Sequence, residues 1–217
     1  MAMKTLDEAR ARKLLESAGV PMCPEAVVDE LEKLPDAANS IGYPCVLKGI
    51  GEGLEHKTEL GVVFCGLKTE DELLEAAKEI SKRAPMARFL VQRHVEGKRE
   101  FICGLIRDDL FGPTVMFGIG GVLAEGLRDV AFRLAPLTFD EAKLMISEIR
   151  SSRLLDEFRG EKAADTDRLA NIIVAIGDLA VRRAEIVEID LNPVIIDRNG
   201  KPVAVDYLVR VDDAQHP

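Results

Sequence analysis

The stretch IVEIDLNPVIIDRNGKPVAVDYLV, residues 186–209, consists of two apolar runs joined by a polar turn. The sequence Asp-Arg-Asn-Gly at 197–200 is typical of a β-hairpin. If residues 198–200 form a three-residue loop with Gly200 in the left-handed conformation, the strands pair so that Asn192 lies opposite Asp206. A two-residue turn would shift this pairing by one residue and break it.

One face of this hairpin is predicted to collect oxygen-bearing side chains. Because side chains alternate between the two faces of a strand, three carboxylates and one amide share a face: Glu188, Asp190, Asn192 and Asp206. The same alternation places apolar side chains there as well, namely Val194, Ile196, Ala204 and Leu208. The face is either the solvated side of an antiparallel sheet or a site for a hard cation such as Mg²⁺, which binds carboxylate oxygens and substrate phosphates.

Helices and β-like runs are interleaved along the rest of the chain, and several of the β-like runs are neighbours in sequence. Thr-x-x-Glu occurs at 5–8, 69–72 and 138–141, and each copy can form a capping box at the start of a helix. A longer amphipathic helix is predicted after Asp165. Consecutive strands favour an α+β fold with largely antiparallel sheets over a doubly wound sheet.

The composition limits the class of protein. The 217 residues carry a net charge of −9 and no basic block, so nucleic acid is not an expected partner. No apolar run approaches the roughly 18 residues that suggest a membrane span, and the N-terminus resembles an amphipathic helix rather than a signal peptide. A cytoplasmic globular protein is expected. Its four cysteines are predicted to be buried free thiols: Cys23, Cys45, Cys65 and Cys103.

A glycine-rich stretch, Phe117–Gly121, follows a predicted strand and matches neither a dinucleotide-binding nor a P-loop pattern. Its glycines either shape a turn or let backbone amides approach a phosphate closely. Lys48 and Arg133 are single positive charges in otherwise apolar strands. Each is either a side chain that reaches the solvent or a phosphate contact.

Six short stretches, in this order, resemble one known family: Tyr43–Lys48, His56–Gly61, Leu90–Gln92, Phe111–Gly121, Phe132–Pro136 and Asp190–Val194. They are similar to the ATP-grasp β subunit of ADP-forming (nucleoside-diphosphate-forming) acetyl-CoA synthetases, in the acyl-CoA synthetase family related to succinyl-CoA synthetase. The similarity extends over nearly the whole chain. It implies an ATP-grasp fold, in which two α+β subdomains clamp a nucleotide between their sheets.

The resemblance implies two subdomains that meet near the polar break at 95–98. Residues 1–92 would contain the N-terminal helix, the first ATP-grasp subdomain and a phosphohistidine loop at 51–61. Residues 93–217 would form the second subdomain, with the glycine-rich turn and the Mg²⁺-binding hairpin. The chain departs from common family patterns at three places: Gly51-Glu52, Gly61-Val62-Val63 and Gln92-Arg93.

Individual roles also follow from the resemblance. The residues implied to contact the nucleotide or its phosphates are Lys48, Gln92, Glu100, Gly118, Gly120, Gly121 and Arg133, with Gln92 near the adenine. Asn192 and Asp206 match the two Mg²⁺ ligands, and Asp190 matches an acidic residue that steadies a phosphohistidine. His56 would carry the phosphoryl group, and Lys57 would offset its charge.

In this family, an α subunit with CoA-binding and ligase domains makes an acyl phosphate and transfers the phosphoryl group to its own histidine. His56 would then pass the group to ADP and so form ATP, within an α2β2 assembly. Two alternatives remain. One is an ATP-grasp carboxylate–amine ligase that uses an acyl phosphate directly, and the other is a non-catalytic regulatory module that binds Mg-ATP. Of the three interpretations, only the acyl-CoA synthetase subunit requires His56.

Overall fold

The structure is a computed structural model, and it describes residues 3–51, 53–54, 60–121, 128–157 and 159–212. These residues divide into two compact units, a smaller one at 23–94 and a larger one drawn from 1–22 and 95–217. His56 and Lys57 lie outside the described residues. No helix in the described ranges is long and apolar enough to cross a membrane.

Helices and strands alternate along the chain in small groups. The helices are α1 Glu8–Ser17, α2 Leu34–Ile41, α3 Glu70–Arg83, α4 Phe139–Glu148 and α5 Thr166–Arg182, with short 3-10 helices at Leu31–Lys33 and Arg150–Leu155. The strands are β1 Met3–Thr5, β2 Glu25–Val28, β3 Cys45–Ile50, β4 Val63–Leu67, β5 Arg88–Arg93, β6 Arg99–Asp108, β7 Gly112–Ile119, β8 Val130–Leu134, β9 Ile186–Ile196, β10 Pro202–Ala204 and β11 Tyr207–Asp212. This agrees with the predicted α+β class.

The larger unit has two layers. Its described strands form one sheet in the order β1-β11-β9-β6-β7-β8, with β10 paired to β9, and every pairing is antiparallel. Helices α1, α4 and α5 bury their apolar residues against one side of this sheet, which we call the helix face; it carries Phe101, Cys103, Leu105, Val115, Phe117, Ile189 and Leu191. The opposite side, which we call the open face, carries Ile102, Gly104, Met116, Phe132, Glu188 and Asp190.

The predicted apolar stripe of α5 is confirmed. Asp165 caps this helix by accepting a hydrogen bond from the backbone N–H of Arg168 at 3.0 Å. The stripe residues are all buried in the core of the larger unit: Leu169, Ile172, Ile173, Ile176, Leu179 and Ala180. This helix therefore supplies much of the apolar surface that covers the sheet.

A β-bulge interrupts the side-chain alternation of β9. Cys103 pairs with Leu191 and Phe101 pairs with Val194, so β9 has one more residue than β6 between these pairs. Both Leu191 and Val194 consequently face the helices. The expectation that certain apolar residues share the face of Asp190 is wrong for three of them, which are buried in the helix-face core: Val194, Ile196 and Ala204.

The smaller unit is a four-stranded antiparallel sheet in the order β2-β5-β3-β4. Helices α2 and α3 cover one side of it, with Leu34, Leu73 and Ile80 in the core. Of the four predicted buried thiols, three are buried and Cys65 is exposed, and none of the four forms a disulfide. The prediction is wrong for Cys65 because it lies on β4, an edge strand.

The N-terminal helix belongs to the larger unit. Strand β1 pairs with β11 at the edge of the large sheet, and Ala11 and Leu15 of α1 are buried in the helix-face core. The grouping of this helix with the first subdomain in residues 1–92 is therefore corrected. A helix packs where a sheet leaves apolar surface uncovered, and that sheet need not be next in sequence.

The three Thr-x-x-Glu sequences begin helices in different ways. Thr69 accepts a hydrogen bond from the backbone N–H of Glu72 at 3.3 Å, as predicted, but the Glu72 carboxylate accepts from the backbone N–H of Lys68 at 2.6 Å, so the second predicted capping box is only half formed. Thr5 instead lies at the end of β1, and Asp7 caps α1 by accepting from the backbone N–H of Arg10 at 2.8 Å. The first predicted capping box is therefore wrong, since pairing of Thr5 in a strand delays the helix start by two residues.

Thr138 and Glu141 form the complete capping box at the start of α4. The Thr138 hydroxyl accepts from the Glu141 backbone N–H at 3.2 Å, and the Glu141 carboxylate accepts from the Thr138 backbone N–H at 2.7 Å. Replacing Thr138 with Ala is expected to lower the free energy of unfolding by about 1 kcal/mol. Urea unfolding would measure this loss. Thr138→Ser keeps the oxygen acceptor and should remain close to wild type; equal losses in the two variants would contradict the capping role.

Candidate functional site

The hairpin at residues 186–209 has the predicted register. Pro202 pairs with Ile196, and the backbone N–H of Asn192 donates to the carbonyl of Asp206 at 3.1 Å. Gly200 has a positive φ of 86°, as the three-residue loop requires. The Asp197 carboxylate closes the loop by accepting from the backbone N–H groups of Asn199 and Lys201, each at 2.8 Å. The predicted pairing of Asn192 with Asp206 is confirmed.

Asp190 is the centre of an acidic cluster on the open face. Its neighbour Glu188 pairs with Arg210 of β11 at 2.8 Å, and Leu208 lies opposite Asp190 in the sheet. Burial raises the pKa of Asp190 to about 6, helped by the negative charges of Glu188 and Asp206 and opposed by Arg210. The site therefore favours a bound group that brings positive charge or donates hydrogen bonds.

Asp190 also borders a groove on the open face of about 190 Å³. The groove floor is apolar and includes Gly104, Met116 and Phe132. A carboxylate at the rim of an apolar groove can orient a ring that carries an N–H donor. Imidazole is one such ring.

Asn192 and Asp206 have the right chemistry for a magnesium site. Leu191 and Tyr207 pack toward the helix face. Their sequence neighbours Asn192 and Asp206 are therefore directed by alternation to the opposite face, which is the face of Asp190. An amide and a carboxylate oxygen are hard ligands that suit Mg²⁺. Within the described ranges, no group of three or more His, Cys, Asp and Glu residues could hold a metal by itself. This donor set fits an ion that takes its remaining ligands from water and a phosphate.

The predicted phosphate turn, Gly118–Gly121, is built from close backbone contacts. A Cβ on Gly118 would lie 2.5 Å from the carbonyl oxygen of Asp129, and one on Gly120 would lie 2.9 Å from the carbonyl carbon of Phe101. Gly121 has a positive φ of 63°, and a Cβ there would overlap the Glu100 carboxylate. The turn thus needs glycine for packing, and the structure brings it together with Glu100.

Arg133 does not lie with these groups. It pairs across the sheet with Val115, which is buried on the helix face, and its guanidinium binds both carboxylate oxygens of Glu148 of α4 at 2.5 and 2.6 Å. The expectation that Arg133 faces the phosphates is corrected. Alternation along β8 places Phe132, and not Arg133, on the open face.

In the smaller unit, Lys48 and Gln92 share one side of the sheet. Val46 pairs with Gln92, and Lys48 lies two residues further along β3, on the side opposite α2 and α3. Both side chains are buried, with 5% of Lys48 and 1% of Gln92 exposed. A lysine buried to this degree is unusual and is a candidate for binding an anion.

Sequence reasoning missed Glu25. Its carboxylate accepts a hydrogen bond from the side-chain amide of Gln92 at 2.8 Å, and the two residues are partners in β2 and β5. The contact fixes which end of the Gln92 amide points toward Glu25. No local pattern signals it, because β2 is short and its partner lies 67 residues away.

An ATP-grasp domain model matches residues 2–211 of the chain. The chain belongs to the ATP-grasp family. The sequence-based resemblance and the predicted ATP-grasp fold are thus confirmed. The β subunit of ADP-forming acetate–CoA ligase I from Pyrococcus furiosus is 38% identical to this ATP-grasp chain, over 94% of the chain and 90% of the relative. ADP-forming acetate–CoA ligase I from Archaeoglobus fulgidus is also 38% identical over 92% of the chain, which spans only 30% of that relative.

A solved structure agrees with the fold. Acetyl-coenzyme A synthetase 1 from Ca. Korarchaeum cryptofilum, in complex with coenzyme A, Ca-AMPCP and HgCl⁺, superimposes with a TM-score of 0.89 at 36% identity, covering 96% of this chain and 94% of that one. A second structure of that protein, with a TM-score of 0.82 and 37% identity over 96% and 93% of the two chains, contains coenzyme A and Mg-AMPPCP. Its phosphohistidine segment points towards the nucleotide binding site. The homologues of this ATP-grasp chain are therefore ADP-forming acyl-CoA ligases.

The packing of the glycine turn can be tested by adding single methyl groups. Gly118→Ala is expected to lower the free energy of unfolding by about 1–3 kcal/mol, because the new Cβ meets rigid backbone of β8. Gly104→Ala is the matched control on the neighbouring strand β6, since its Cβ would meet the flexible end of Met116 at 3.3 Å and the carbonyl oxygen of Ile189 at an ordinary contact distance of 3.6 Å. Urea unfolding would measure both. A loss in Gly104→Ala as large as that in Gly118→Ala would contradict the close-packing argument.

Proposed function

We propose that this chain is the nucleotide-binding β subunit of an ADP-forming acyl-CoA synthetase. It would transfer a phosphoryl group between phosphorylated His56 and ADP, coupled to the interconversion of an acyl-CoA and its free acid. The observation that carries the proposal is the grouping of Asp190, Asn192 and Asp206 on one face of the β9–β11 pair. Membership of the ATP-grasp family and homology to acetate–CoA ligases support it.

The described residues provide binding and positioning. Lys48 would neutralise phosphate charge, the glycines of the turn Gly118–Gly121 would let phosphates come close to the backbone, and Gln92 would lie near the base. Asn192 and Asp206 would hold Mg²⁺, which neutralises phosphate charge when bound. In phosphoryl transfer of this kind, positioning and charge neutralisation provide most of the rate acceleration.

Asp190 would orient the histidine that carries the phosphoryl group. Its carboxylate can accept a hydrogen bond from the imidazole nitrogen that is not phosphorylated, which fixes the ring and its tautomer. The bond between phosphorus and nitrogen then breaks as a terminal oxygen of ADP bonds to phosphorus. Neutral imidazole is released, and it is ready to accept the next phosphoryl group.

A partner chain is part of the proposal. The Pyrococcus relative is named a β subunit, whereas the Archaeoglobus relative contains a segment like this chain within a polypeptide more than three times as long. We propose that an α subunit with CoA-binding and ligase domains supplies the rest of the reaction, in an α2β2 assembly. Acyl-group selection would then belong to that partner.

Replacing His56 tests the proposed relay. With the α partner, acetyl-CoA, phosphate and Mg-ADP, the wild type should form ATP, and His56→Ala should form none while it still binds ADP. His94→Ala is the matched control, since His94 is another histidine of residues 23–94 and is not assigned a role. ATP formation would be followed by a coupled assay, and ADP binding by calorimetry. Full activity of His56→Ala would instead favour a direct carboxylate–amine ligase, and nucleotide binding without turnover in the wild type would favour a regulatory module.

Replacing Asp206 tests the proposed metal site. Asp206→Asn keeps the size of the side chain but removes a charge, so the Mg²⁺ concentration for half-maximal activity should rise at least about tenfold. Glu188→Gln is the control, because it removes a carboxylate from the same face. The Glu188 carboxylate pairs with Arg210 and is not a proposed ligand. Its Mg²⁺ dependence should match wild type. The same shift in both variants would mean that general negative charge, and not ligation by Asp206, controls Mg²⁺ binding.

A further inference from the structure

Asp129 lies beside the glycine turn. Its carboxylate is buried, and it is not among the residues to which a role was assigned above. Only 8% of the residue is exposed. One carboxylate oxygen accepts from the backbone N–H of Arg150 at 2.8 Å, and the other accepts from that of Ser151 at 2.6 Å. Its own carbonyl oxygen accepts from the backbone N–H of Ile119 at 3.2 Å. Asp129 thus joins the end of β7, the start of β8 and the first residues of the 3-10 helix Arg150–Leu155.

The carboxylate is held in its charged form. Burial alone would raise the pKa of Asp129, but the hydrogen bonds from Ser151 and Arg150, together with the positive charge of Arg150, outweigh burial and lower it. An ionised acceptor forms stronger hydrogen bonds to backbone N–H groups than a neutral one. The connection from Asp129 to residues 150 and 151 is therefore a firm one.

The glycine turn is enclosed on two sides. On one side, the Gly120 backbone N–H donates to the carbonyl of Glu100 at 2.8 Å, and Gly121 lies against the Glu100 carboxylate. On the other side, the Asp129 carbonyl leaves no room for a side chain on Gly118. Any shift of Asp129 would therefore shift the backbone of the turn.

The 3-10 helix Arg150–Leu155, which binds Asp129 at its start, is also held at its other end. Arg99, which precedes Glu100, donates to the carbonyls of Leu154 and Asp156 at 3.2 and 3.0 Å, and it pairs with Glu161 at 3.2 Å. The 3-10 helix Arg150–Leu155 is thus tied to Asp129 at its start and to Arg99 at its end. It therefore connects Asp129, on one side of the turn, with Arg99, which precedes Glu100 on the other side.

We propose that Asp129 is a positioning residue that holds the Gly118–Gly121 turn in the shape in which nucleotide phosphates can come close to its backbone, which carries no side chain at three of its four residues. This inference rests on the proposed function, because it assumes that the turn binds phosphate. Asp129 does not touch the nucleotide in this scheme. It acts through the turn, by fixing the start of β8 to the 3-10 helix.

The test is ADP binding to the 217-residue chain, measured by calorimetry with Mg²⁺ present. In Asp129→Asn, one acceptor oxygen is replaced by an amide group that faces a backbone N–H, so one of the two hydrogen bonds is lost. The dissociation constant for ADP is expected to rise at least about fivefold. Asp165→Asn is the matched control, since Asp165 caps α5 by the same kind of hydrogen bond, away from the turn. Both variants should unfold at lower temperature, but only Asp129→Asn should lose affinity.

The outcomes separate this inference from the proposed function. If wild type does not bind Mg-ADP, the proposed function fails. If wild type binds and folded Asp129→Asn binds equally well, the positioning role is overturned. Asp129→Ser, which keeps one oxygen acceptor, replaces Asp129→Asn if that variant does not fold. Failure of both to fold would make Asp129 a residue of the fold alone, and would also overturn the inference.

Discussion

The pairing of β9 with its neighbours is the constraint on which the candidate site depends. Backbone hydrogen bonds to β6 and β11 fix β9 on both sides, and an ordinary loop at Gly200 sets which residues face each other. A slip of one residue would turn Asp190 into the helix-face core and bring Leu191 out of it. The oxygen-bearing face therefore exists because the sheet has one register. Burial of the apolar residues that alternate with the oxygen-bearing ones stabilises that register.

The bulge in β9 has a second effect. With perfect alternation, the whole hairpin would present a single face of mixed polarity. The extra residue between Leu191 and Val194 instead returns the strand to the core just after Asn192. Asn192 therefore lies at the point where β9 changes faces, and Asp206 lies opposite it. Bulges recur next to active sites because they re-aim side chains in this way.

Local patterns allowed much of this to be predicted. The hairpin register, the α5 stripe and the Thr138 capping box each depend on residues close together in sequence, and all three appear in the structure. The bulge depends on how β9 meets β6, and the partner of Gln92 is 67 residues away, so neither leaves a local signal. Arg133 shows the same limit: alternation along β8 fixes which residues share its face, but only the packing of α4 decides which face that is. Residues His56 and Lys57 lie outside the described ranges, so their assignment still rests on the family resemblance.

The buried pair of Arg99 and Glu161 has a consequence for the ionic environment. Only 1% and 7% of these side chains are exposed, so dissolved ions do not reach them. Exposed pairs such as Lys143 with Asp167 are screened as salt concentration rises. The ion pair of Arg99 with Glu161, close to the glycine turn, should therefore persist at high salt concentration. Charge pairs at the protein surface would weaken under the same conditions.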